Sequence, residues 1–71
     1  MKTTALIIGR LCWQVHPEAK NENEAVKREL FFVEQMIAIK TKNEIDANDD
    51  IEFASILKTA IESLERSHSN G

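Results

Sequence analysis

Apolar side chains recur at helical spacing in three stretches of this chain, separated by two polar connections. The longest stretch runs from Pro17 to Lys42, with Ala25, Val26, Leu30, Phe32, Val33, Met36, Ile37 and Ile39 three and four residues apart. That spacing predicts a helix whose apolar face centres on Val33, Met36 and Ile37, with Phe32 on the core side. Pro17 suits a first helical turn and Glu18 the positive helix end, so the element is expected to span 17–42 and reach about 37 Å. The rest of the chain has to be arranged around a rod of that length.

A second helix is predicted over 48–67, where Phe53, Ala54, Ile56, Leu57, Ala60, Ile61 and Leu64 fall within a sector of about 160°. Asp46 or Asn48 can cap it, and Asp49, Asp50 and Glu52 favour its first turn through the helix dipole. Arg66 and His68 sit near its negative end, and Ser67 to Gly71 are expected to fray. The opening is harder to read. Residues 4–15 place Ala5, Ile8, Leu11, Cys12 and Val15 on one helical face and Leu6 and Trp13 on another. Gly9 weakens a helix, and a short strand over 4–8 is the alternative. His16 precedes a proline and is pushed out of helical geometry, which ends the first element there.

Together these give an all-α expectation: one domain over 1–71, with a shorter N-terminal helix and a long central helix antiparallel to a C-terminal one. Two Gly, one Pro and 42% apolar content agree with helices on short connections. A chain of 71 residues stands near the lower size limit for folding alone, which makes self-association or partner binding an expected source of stability. Two hairpins closing a four-helix bundle would supply it, so a homodimer is expected.

Charge narrows the function classes. Residues 1–16 carry Lys2 and Arg10 and no acid; residues 17–42 hold five acids and five bases. From residue 43 on, seven acids oppose Lys58 and Arg66, a balance of −5. No basic face for nucleic acid is evident. The apolar opening breaks at Gly9-Arg10, too short for a signal core or a membrane span, and the lone Cys12 fits a reducing compartment. A cytoplasmic protein is expected, and membrane attachment through residues 1–15 has only two positive charges to draw on.

Candidate chemistry is thin. Asp46, Asn48 and Asp50 match the first, third and fifth positions of a calcium loop. Ile51 and Leu57 then stand where that loop needs its Gly and its Glu. His16 and His68 have no metal-ligand spacing. Cys12 reads as a small buried hydrophobe that His16 could reach only across a helical turn. No metal, cofactor or catalytic residue is assigned, and the chain is expected not to be an enzyme.

Contact residues are more informative. Phe31 projects almost opposite the expected core stripe, beside Gln35, and Leu6 and Trp13 also lie off the main stripes. Either the first segment folds back and covers Phe31 inside the chain, or these residues anchor a protein partner or a second copy, with Trp13 expected as core and Phe31 as interface. Asp49 and Asp50 offer an acidic surface to a basic partner. The best expectation is a non-enzymatic binding protein that regulates or inhibits another macromolecule, in the style of small acidic helical proteins of mobile elements. The alternative is a dimeric DNA-binding regulator of ribbon-helix-helix order. That order needs the strand at 4–8 and polar base readers on it, where Leu6 and Ile8 stand.

Overall fold

A computed structural model describes the backbone of residues 2–69 and the side chains of residues 3–66. It contains three helices: α1 (Lys2–Val15), α2 (Glu22–Lys42) and α3 (Asn48–Ser69), with α2 packed against both others. Residues 4–8 are helical, so the strand alternative fails. The dipole role expected of His68 lies outside the described side chains, and residues 70 and 71 lie outside the described chain altogether; α3 continues through Ser69.

α2 begins at Glu22, five residues later than its apolar pattern and Pro17 suggest. Asn21 sets the boundary. Its backbone is extended, and its Oδ1 accepts from the Glu24 N–H at 2.9 Å. The Glu24 carboxylate in turn accepts from the Lys20 N–H, one residue before the cap, and ties the preceding turn to the start of the helix. Pro17 to Asn21 therefore form a turn, held by the Ala19 N–H donating to the His16 carbonyl.

The far end of α2 closes by a Schellman arrangement. Ile45 N–H donates to the Lys40 carbonyl and Glu44 N–H to Thr41. Glu44 takes the left-handed position (φ 58°) usually given to glycine, at a cost of about 1 kcal/mol. Asp46 then caps α3 by accepting from the Asn48 N–H at 2.9 Å. Ion pairs Lys27–Glu65 and Lys40–Asp50 fix the antiparallel register of the α2/α3 hairpin at its two ends.

α1 covers only one end of that hairpin. Its Gly9 stands against Glu22, and His16 reaches Glu29 and Phe32, so its second half advances alongside the first half of α2. The close approach explains a glycine in mid-helix: a Cβ at position 9 would lie 2.6 Å from that of Glu22. Fourteen residues span about 21 Å against about 31 Å for α2, which leaves the hairpin end near Asn43–Ala47 bare on that side.

Side chains are sorted by size in an unusual way. Five of the ten residues in the buried cluster are alanine, and the largest fully buried side chains are Leu57 and Val26. Meanwhile Phe31, Phe32 and Phe53 are 59%, 61% and 40% exposed. The expected core centre is corrected in part: Val33 is buried and Ile37 half-buried, but Met36 and Phe32 face outward. The reason is geometric. On the helical wheel of α2, Val26, Leu30, Val33 and Ile37 lie between Lys27 and Lys40, whose ion pairs reach α3, while Met36 and Ile39 lie outside that sector and stand exposed.

Candidate functional site: an apolar notch beside the end of the first helix

The uncovered hairpin end and the C-terminal end of α1 together form a step. Its floor carries Met36 and Ile39 from α2 and Phe53 and Ile56 from α3, all exposed. On the two helical wheels these four residues fall on the same side of the antiparallel pair, the side that α1 covers further along. At the corner stands Phe32, stacked on the buried His16 ring at 5.5 Å and 9° and meeting Phe31 edge-on at 6.2 Å. Val15, 66% exposed, and Leu11 extend the apolar surface up the end of α1, and Ile45 lies exposed at the hairpin tip.

His16 builds the corner. Its N–H still donates to the Cys12 carbonyl at 2.8 Å, so residues 12–16 do form a helical turn before Pro17 ends it. Its Nε2 meets Glu29 Oε1 at 2.8 Å and its Nδ1 lies 3.9 Å from Glu18, which also receives Arg28 at 3.4 Å. Trp13 donates from Nε1 to the Ala19 carbonyl at 2.9 Å and ties the turn to α1. The Cys12 thiol is buried, and that burial, then the Glu29 charge, pushes its pKa up, which favours the thiol over a nucleophilic thiolate.

The six anticipated contact residues separate in space. Leu6 and Trp13 are half-buried against the core. Phe31 is exposed on the flank of α2 away from the notch, Gln35 is exposed between the two flanks, and Asp49 is exposed at the start of α3. Asp50 is engaged with Lys40, whose pKa it raises chiefly through their hydrogen bond. The notch residues Met36, Ile39, Phe53 and Ile56 escaped the sequence reading because each lies within a stripe that looks like core. Among the described residues no three His, Cys, Asp or Glu side chains cluster as metal ligands, and Asp46 and Asp50 serve as cap and ion-pair partner. No helix among the described residues is long and apolar enough to cross a membrane.

Comparison with protein families, curated proteins and solved structures returns no match.

Proposed function

We propose that this chain is a non-enzymatic binding protein that regulates or inhibits another macromolecule through protein–protein contacts. One observation carries the reading: half of the buried cluster is alanine while Phe31 and Phe32 stand largely in water and Phe53 is 40% exposed. Burying one such ring fully is worth about 1.5–3 kcal/mol, a contribution the lone chain realises only in part. Exposed apolar residues joined into one surface mark contact sites, whereas scattered ones do not. The notch is joined, and Phe31 adds a second anchor on the opposite flank. His16 pairs with Glu29 of α2 and so joins the end of α1 to the hairpin. The helical state of residues 4–8 removes the ribbon on which the DNA-binding alternative rested.

Cross-linked capture from extracts of the native host tests the reading. Wild-type chain should recover a reproducible, near-stoichiometric protein, and either Phe31→Asp or Met36→Glu, still helical by circular dichroism, should lose it. Equal recovery by both folded variants would sink the proposal.

A further inference from the structure

We infer that the notch is the seat of a second copy of this chain, which docks by placing its own hairpin end in the same notch; this rests on reading the notch as a contact surface. Area gives the first argument. A monomeric protein of 8.1 kDa is expected to expose about 4,500 Å². The chain exposes 5218 Å², an excess of about 700 Å². A standard interface takes about 800 Å² from each partner, an area the open surface of this chain can supply.

Shape gives the second argument and fixes the symmetry. α1 blocks one half of the hairpin face, so two copies cannot lie face to face in the same direction. A two-fold axis across the hairpin, passing near Met36 and Phe53, avoids the collision. The bare halves then overlap, α2 lies antiparallel on α2 of the other copy, and four helices enclose Met36, Ile39, Phe53 and Ile56. Each hairpin tip, with Ile45 exposed, arrives at the other copy's α1 end, where Val15 and Leu11 are exposed. Surfaces left open at opposite ends of one chain thereby cover each other, as an isologous contact requires.

Charge gives the third. The tip that travels is acidic, with Glu44, Asp46 and Asp49 exposed. It arrives beside Arg28, an exposed cation on the α2 edge near the α1 end, where Glu18 already shares it at 3.4 Å. Phe31 faces outward in this arrangement, so the dimer presents it twice, on opposite sides.

Two measurements on the purified full chain test the inference. Sedimentation equilibrium across 1–100 µM, a range chosen about typical self-association constants, should give twice the 8.1 kDa chain mass. Met36→Glu should weaken dimerisation at least tenfold while retaining helicity. Arg28→Glu and Glu44→Arg should each weaken it, and the double swap should restore it. Oxidative cross-linking covers the case in which a charge at position 36 impairs folding. In a Cys12→Ser background, Met36→Cys should link two copies across the axis and Phe31→Cys should not. A monomeric wild type at the highest concentration, or linking at 31 in preference to 36, overturns the inference. A monomer whose host partner is still lost on Met36→Glu would sink self-docking alone and leave the contact reading standing.

Discussion

The two halves of the α2/α3 hairpin use the same helical stripes for opposite ends. Under α1, the stripe is built from small residues: Ala25 and Ala60 on the hairpin, Ala5 and Gly9 on α1, all buried. Beyond α1, the equivalent flank carries Met36, Ile39, Phe53 and Ile56, all exposed. Small side chains let three backbones approach closely, and the 2.6 Å a Cβ at Gly9 would leave to Glu22 measures how closely. Large side chains fill the wider space between helix pairs that pack face to face. Residue size thus records which half meets its own chain and which half meets something else.

The largest expected effect separates the halves directly. Leu57→Ala removes a fully buried side chain from the interior cluster that all three helices share and should cost about 2–5 kcal/mol at any protein concentration. Ile39→Ala, on the open half, should matter only where copies associate. Urea unfolding at two concentrations a hundredfold apart checks this, and a concentration-independent loss for Ile39→Ala would erase the distinction.

Gly9→Ala sharpens the account of the covered half. In an open helix the change would gain about 1 kcal/mol. Here the added carbon meets the Glu22 Cβ at 2.6 Å and Cγ at 3.2 Å, the Cβ fixed by the backbone, and overpacking costs about 1–3 kcal/mol. Thermal melting should show a net loss; a gain would mean that α1 sits further from α2 than described.

The smallest effect concerns the two ion pairs that pin the hairpin ends. The Glu65 carboxyl is held below its ordinary range, chiefly by the Lys27 hydrogen bond and then by the Lys27 charge. A lowered carboxylate favours the folded state above the usual glutamate range, and that share fades as pH falls through the lowered value. The Lys40 ammonium is raised, first by its hydrogen bond to Asp50, so its share is present below the ordinary lysine value and fades as pH rises beyond it. Lys27→Met should return the Glu65 carbon titration, followed by NMR, toward the ordinary range. An unchanged titration would dissolve the pair at the covered end.

Helix number, order and the antiparallel hairpin were legible because period and capping residues agree over long stretches. Asp46 was readable as a cap for the same reason. The start of α2 was not, since Pro17 is as good a turn residue as a first-turn residue, and the Asn21 cap decides between them. Phe31 stood out because it leaves its stripe. Met36, Ile39, Phe53 and Ile56 did not, because a helical wheel reports which residues share a side and not how far along the axis a neighbour extends. His16, just past α1, lies four residues after the buried Cys12 and continues its face, a periodic signal outweighed by the proline that follows.

Cys12 gives the molecule a clock. It is buried on α1, with its thiol pKa raised, so alkylating reagents reach it only when that helix lifts from the hairpin. Its labelling rate under native conditions therefore counts local openings of α1 and, set against the global unfolding rate, tells whether α1 detaches alone or only with the whole fold. Since the end of α1 forms one wall of the notch, whatever occupies the notch should slow that clock.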